Sequence, residues 1–254
     1  METTWAQSYY DSLEFFYWEP QHIGRKRHVD AEFNSLVKVR QHLKQIEVTL
    51  NHQLLMLLRL APLSLRNTLA EALFDDPPCS SLVLRDRNAE QSLWKGDIMQ
   101  PDVFLLSLSD VFCIEMKLGA KCSIHQVLKY ALLGLGCELY DGVKRQHHFA
   151  LLGRGSLKHQ WSIKVETLDA LRQLLRDADV EAVLKRCPAA LRKESARLRA
   201  IVDSMALGFM DYEEFARFLQ RQQPTETDQS NGAEVYRNLL SGFIGELKER
   251  KLAP

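Results

Sequence analysis

The chain reads as an α/β protein: a helix, three strands, a second helix and a fourth strand, followed by a helical C-terminal region. Three observations predict this. Apolar residues recur at helical spacing over 30–60, short β-prone runs replace them between 81 and 116, and helical spacing returns from Ser123 onward. A length of 254 residues with 46% apolar content is enough for one sizeable core and a smaller helical appendage. The same pattern divides the chain into an aromatic-rich segment 1–30, a core 31–165 and a helical region 166–254.

The first segment holds Trp5, Tyr9, Tyr10, Phe15, Phe16, Tyr17 and Trp18, then the cluster Arg25-Lys26-Arg27-His28. Rings beside cations can stack on bases and touch phosphates. At this density, rings packed onto a core and a basic cluster in a solvated turn are the plainer expectation. Over 30–60 the residues Phe33, Leu36, Val37, Leu43, Ile46, Leu50, Leu54, Leu57 and Leu58 predict one long amphipathic helix, capped at Asp30 and stopped by Pro62. A second helix is expected over 65–74, ended by Asp75-Asp76-Pro77-Pro78. Strands are expected at 81–84, 103–108 and 111–116, the last two joined at Ser109-Asp110 as an antiparallel hairpin. Ile124, Val127, Leu128, Ala131 and Leu132 predict a helix over 123–135, and 149–152 reads as a buried strand. A fifth strand is expected at 161–165. Helices follow at 167–176, 180–185, 189–205, 212–220 and 233–250, with a polar loop at 222–232.

Chemistry concentrates in Pro101-Asp102, Glu115-Met116-Lys117, Gln126 and Tyr130. A hairpin brings Asp102, at the start of one strand, and Glu115, near the end of its neighbour, to the same end of the sheet. Lys117 lies two residues beyond Glu115, so the strand period puts both side chains on one face. Two carboxylates suit a divalent cation such as Mg²⁺ beside a scissile phosphate, and an adjacent lysine can orient water or offset developing charge. Met116 points to the other face, its main-chain carbonyl available as a ligand. Gln126 and Tyr130, four apart, share one helix face.

Together these residues resemble the PD-(D/E)XK nuclease superfamily. Gln126-Val127-Leu128-Lys129-Tyr130 matches the Q-x-x-x-Y element of its RecB-like branch. The resemblance covers roughly 47–152 and implies a mixed central sheet flanked by helices. It also implies Mg²⁺- or Mn²⁺-dependent hydrolysis of phosphodiester bonds in DNA, RNA not being excluded, in phage defence, restriction or repair. It casts Asp102, Glu115, Lys117 and Gln126 as catalytic. Asp102, Glu115 and the Met116 carbonyl would hold the metal, Gln126 would support the site and Tyr130 would contact substrate. An additional acid comes from a first helix in this superfamily; Glu47 is the candidate and Glu71 its competitor.

A lone E-x-K means little, and Glu115 with Lys117 would otherwise be a surface pair of small energetic worth. The coincidence of an apolar strand, a preceding Pro-Asp and a following Q-x-x-x-Y helix carries the specificity. The competing class is an idle nuclease-like scaffold or nucleic-acid-binding protein that recruits a protein partner through its C-terminal helices. Thirty-three basic residues balance thirty-three acidic ones, so attraction to a polyanion must come from a local patch. The five cysteines include no C-x-x-C pair, which predicts reduced thiols and no zinc site. His147-His148, His125 and His159 lack ligand spacing and read as surface or turn residues, while Gly134-Leu135-Gly136 and Gly153-Arg154-Gly155 read as turns. Acids in Met210-Asp211-Tyr212-Glu213-Glu214-Phe215 suit a helix start and need no calcium. No basic and apolar leader opens the chain and no uncharged run reaches eighteen residues, which predicts a cytoplasmic protein outside the membrane.

Overall fold

The computed structural model describes residues 4–18, 36–75, 82–84, 101–185, 187–225, 227–228 and 230–254, and side chains throughout these except in 14–18 and 36–39. The basic cluster at 25–28, the cap at Asp30 and Cys79 lie outside the described residues. The chain forms two compact units, 1–62 with 213–254, and 63–212. These boundaries differ from the expected divisions after residues 30 and 165.

The first unit is helical: α1 (Trp5–Trp18), α2 (Leu36–Gln45), α3 (Glu47–Leu60), most of α10 (Tyr212–Arg221) and α11 (Asn231–Glu249). The single helix expected over 30–60 is broken at Ile46, whose backbone is extended (φ −81°, ψ 142°). The apolar period runs through the break, so spacing alone conceals it. Carbonyls exposed there find donors: Thr49 Oγ1 donates to the oxygens of Leu43 (2.5 Å) and Ile46 (3.1 Å), and Arg250 Nη1 donates to Ile46 O at 3.2 Å. Tyr10, one of the N-terminal aromatics, is buried, and its hydroxyl donates to buried Glu246 while accepting from Arg250 Nη2. Packing on a core therefore describes Tyr10.

The second unit is a five-stranded mixed sheet in the order β1-β2-β3-β4-β5, made of β1 (Val83–Leu84), β2 (Val103–Leu106), β3 (Asp110–Lys117), β4 (Gln146–Gly153) and β5 (Ala206–Asp211). The first three strands are antiparallel neighbours; β3, β4 and β5 run parallel. One face, bearing Phe104, Val111, Cys113, Phe149, Leu151 and Leu207, packs under α5 (Ile124–Asp141), α6 (Leu168–Arg176), α7 (Val180–Leu184), α8 (Ala189–Arg192) and α9 (Ser195–Ser204). The other is covered by α4 (Leu63–Leu73) and Phe74, whose ring meets Phe112 at 5.4 Å and His148 at 5.2 Å. The unit is thus α/β, with helices on both faces; its described elements run α4, β1–β3, α5 and β4, whereas the Glu47-bearing helix expected to open this order belongs to the first unit.

Several expectations change. Residues 161–165 form no strand; Trp161 makes only a single parallel bridge to Cys122. The fifth strand is β5, within the region expected to be helical. Its Gly208 lies under α4, where a Cβ would come within 2.5 Å of the Leu73 carbonyl oxygen. The helix expected over 189–205 divides into α8 and α9 at Lys193 and Glu194. Gly134 and Gly136 sit inside α5 rather than in a turn, and a Cβ at Gly134 would fall 2.3 Å from His147 Cε1. His147 and His148 are buried in β4, not on the surface, because each meets a buried acid. His147 Nε2 bonds Glu138 Oε1 and His148 Nε2 bonds Asp110 Oδ1, both at 3.0 Å. Cys113, Cys122, Cys137 and Cys187 are free and buried. Among the described residues, no helix is long and apolar enough to cross a membrane.

Candidate active site and metal centre

Strand register explains the Pro-Asp pair. Ser107 N–H donates to Asp110 O at 3.0 Å, which makes this opposed pair a hydrogen-bonded one. Partners then alternate along the register that sets Val103 opposite Ile114. The ladder ends there, with Asp102 in a bend just before β2; one step further along the same alternation would set it opposite Glu115 at a non-hydrogen-bonded position, where side chains come closest. A further step would set Pro101 opposite Met116 at a position that exchanges hydrogen bonds, and proline, which has no N–H to give to the Met116 carbonyl, stands where the ladder has ended. Met116 N–H donates instead to Asp102 Oδ2 at 2.8 Å. In an extended strand a residue's N–H and C=O project to the same side, so this bond also directs the Met116 carbonyl toward Asp102.

The second helix then closes on Glu115. Ser123 caps α5, its hydroxyl accepting from Gln126 N at 3.2 Å. That cap fixes the first turn, from which Gln126 Nε2 donates to Glu115 Oε1, and one turn later the Tyr130 hydroxyl donates to Oε2. The same hydroxyl accepts from Asp102 N–H at 3.3 Å, so Tyr130 ties the two acidic residues together. Lys117 Nζ lies 2.6 Å from Glu115 Oε1. Glu115 is 3% exposed, Lys117 7% and Tyr130 1%, while Asp102 and Gln126 are half-buried. Burial, reinforced by the charge of Glu115, holds the Tyr130 phenol well above its ordinary range, so it remains a donor. Burial and then the Glu115 charge push the nearby Cys122 thiol up to about 12 despite Lys117, which leaves it protonated and unreactive at neutral pH.

The geometry unites Asp102, Glu115, Lys117, Gln126 and Tyr130 at the C-terminal end of β3, with the Met116 side chain turned to the α4 face and fully buried. The hydroxyl of Tyr130, the residue expected to touch substrate, bonds Glu115 and the Asp102 backbone. Of the two candidates for an additional acid, Glu71 does not join them. Glu47 opens α3 in the first unit, and the five residues named above lie in the second. Glu71 is exposed on α4, which covers the sheet face opposite the one that carries Glu115. Among the described residues no group of three or more His, Cys, Asp and Glu is arranged to hold a metal. Two carboxylates and a main-chain carbonyl could nevertheless serve Mg²⁺ or Mn²⁺ in one specific way. Magnesium commonly takes one or two carboxylates, keeps several waters and draws remaining ligands from substrate phosphate. Asp102, Glu115 and the Met116 carbonyl are the groups that could supply the protein's share of such a shell, with Gln126, Lys117 and Tyr130 already on the Glu115 oxygens. Sequence reasoning passed over the Ser123 cap and the reason for Pro101; a serine three residues before Gln126 was the available signal for the first. No protein-family model, curated protein or solved structure matches this chain.

Proposed function

We propose that this chain is a divalent-metal-dependent nuclease acting on DNA, with a PD-(D/E)XK-like core in its second unit. The observation that carries the reading is the buried Glu115 carboxylate, held by Lys117, Gln126 and Tyr130 and opposed by Asp102 across the hairpin. Such an assembly has little structural logic as an ion pair alone, because burying these charges costs more than apolar packing would. It has a chemical logic if the carboxylates await a cation and a phosphate. Asp102, Glu115 and the Met116 carbonyl would hold Mg²⁺ or Mn²⁺, which when bound lowers the pKa of water and offsets charge on a phosphoryl oxygen. Lys117, at the same strand end, orients the attacking water or meets the charge growing on the phosphate. Gln126 and Tyr130 are positioning residues, keeping the Glu115 oxygens directed at the site.

One observation favours a second reading, an idle nuclease-like scaffold: both Glu115 oxygens already accept from protein donors. Purified protein incubated with single- and double-stranded DNA in Mg²⁺ or Mn²⁺, beside Glu115→Gln and Lys117→Met, separates the two. Cleavage that EDTA stops and that either variant reduces by about a hundredfold or more supports the enzyme. Wild type and variants that behave alike on every substrate would leave only the scaffold.

A further inference from the structure

The chain is electrically neutral overall, yet its charge is not evenly spread. Two segments leave the sheet side by side at the site, because Lys117, which ends β3, pairs with Gly153, which ends β4. Residues 117–129 and 153–164 contain Lys117, Lys121, Lys129, Arg154, Lys158 and Lys164 together with His125 and His159, and no Asp or Glu. Six of the chain's 33 Lys and Arg residues thus fall in two acid-free stretches, which leaves the rest of the chain net acidic. Lys121, Arg154, Lys158 and Lys164 are exposed, as are both histidines, Lys129 is half-buried, and Lys164 Nζ lies 3.2 Å from the exposed Glu166 Oε1 just beyond the second stretch.

The two segments are fastened together rather than merely adjacent. Cys122 N–H donates to Gln160 O at 2.7 Å, Ser162 N–H donates to Cys122 O at 3.0 Å, and Lys121 Nζ donates to His159 O. Buried Gln160 anchors the second loop from within, its Nε2 donating to Arg154 O at 2.6 Å. A fixed cationic surface beside a site whose two carboxylates outnumber its one lysine, Lys117, would hold a polyanion against the net negative charge left there.

We infer that this stitched loop pair is a track for the phosphate backbone of duplex DNA. The inference rests on the nuclease reading for its biological sense and on the charge distribution for its physical one. Duplex rather than single strand follows from the aromatic content. The only ring other than histidine in the two segments is Trp161, 3% exposed, so the surface offers phosphate contacts without the stacking platforms that single-strand binders use. Contacts of that kind position the nucleic acid without reading its sequence.

Fluorescence anisotropy of a labelled 20-base-pair duplex, titrated with full-length protein in EDTA, measures binding apart from cleavage. Wild type is compared with Arg154→Glu/Lys158→Glu/Lys164→Glu and with a control of equal charge change, Lys185→Glu/Arg192→Glu/Lys193→Glu, drawn from outside the two segments. The expected result is a loss of about tenfold or more in affinity for the track variant, with its slope of log affinity against log salt shallower by about two to three. The control set should retain the wild-type slope. Equal weakening by both sets, no duplex binding by wild type, or tighter binding of single-stranded DNA or duplex RNA overturns the inference. The two readings fail separately. Track-dependent binding with no cleavage in Mg²⁺ keeps the track and removes the nuclease; cleavage by a track variant at wild-type affinity does the reverse.

Discussion

At Glu115 one buried carboxylate accepts from an amine, an amide and a phenol, and these donors are not equivalent. Lys117 neutralises charge, so Lys117→Met leaves a buried carboxylate without its counterion and should cost about 3–5 kcal/mol in urea unfolding. Adding Glu115→Gln in the same chain should recover much of that loss, because the stranded charge is removed with its partner. Tyr130→Phe deletes one hydroxyl and should cost about 1–3 kcal/mol, together with a loss of cleavage rate, since both acidic residues lose a shared support. A second acid shows the same physics through pH. Burial alone would raise the Glu138 carboxyl, but bonds from His147, from Arg197 (2.9 and 2.7 Å) and from Arg145 N–H (2.7 Å) outweigh it and hold Glu138 down at about 2, against an ordinary 4.5. A folded-state value below the unfolded one contributes stability that is whole above about pH 5 and disappears as pH falls toward 2. Urea midpoints measured across that window should fall steeply for wild type, whereas Glu138→Gln should start lower at neutral pH and show a flatter acid limb. Burial holds the His147 imidazole below its ordinary range, against the opposing pull of Glu138.

At the level of elements, close approach decides what pattern cannot. The Leu73 carbonyl that ends α4 sits against Gly208 of β5, where an added Cβ would meet it at 2.5 Å. Because the obstacle is backbone, Gly208→Ala should destabilise by about 1–3 kcal/mol, or more, and thermal melts of the variant against wild type test this. Gly134→Ala meets a side chain instead, the His147 ring. It should perturb the Glu138 network as well as packing, which would show as an altered acid limb in the pH series just described. The same two glycines explain where the sequence was opaque. Gly134 looked like punctuation and Gly208 stood out not at all, since a glycine chosen for contact with a distant segment carries no local mark of that contact. The break at Ile46 was hidden for a related reason: its stabilising donors, Thr49 and Arg250, come from the next helix and the far end of the chain. By contrast the hairpin, the α5 period and the E-x-K parity were legible because each follows from a repeat of two or 3.6 residues. The convergence of Gln126 and Tyr130 on Glu115 followed from those same periods once α5 lay across β3. Choosing between Glu47 and Glu71 did not, as helix placement has no such period.

Over the whole molecule, chain order and compactness diverge. The unit that holds the site is one uninterrupted stretch, 63–212, whereas the other is assembled from both ends of the chain. In that second assembly the N-terminal helices depend on α11 for their polar and apolar closure. Trp5 Nε1 donates to Leu239 O at 3.0 Å and its ring lies where a Gly242 Cβ would be, and Arg250 donates to Tyr10 Oη, Thr49 Oγ1 (2.7 Å) and Ile46 O. A fragment of residues 1–62 would expose Leu43, Leu50, Leu54 and Leu57 and leave the Thr49–Tyr10 polar group without Glu246 and Arg250, so burial cannot offset its chain entropy. Expressed alone, it should show little cooperative unfolding by circular dichroism. Mixing it with a peptide of residues 213–254 should restore a cooperative transition whose midpoint rises with peptide concentration, as mass action requires. The fragment 63–212, with its sheet buried on both faces, should melt cooperatively without either. A fragment 1–62 that folds fully alone, or a 63–212 fragment that stays unfolded, would show that the division into two units is not one of independent stability.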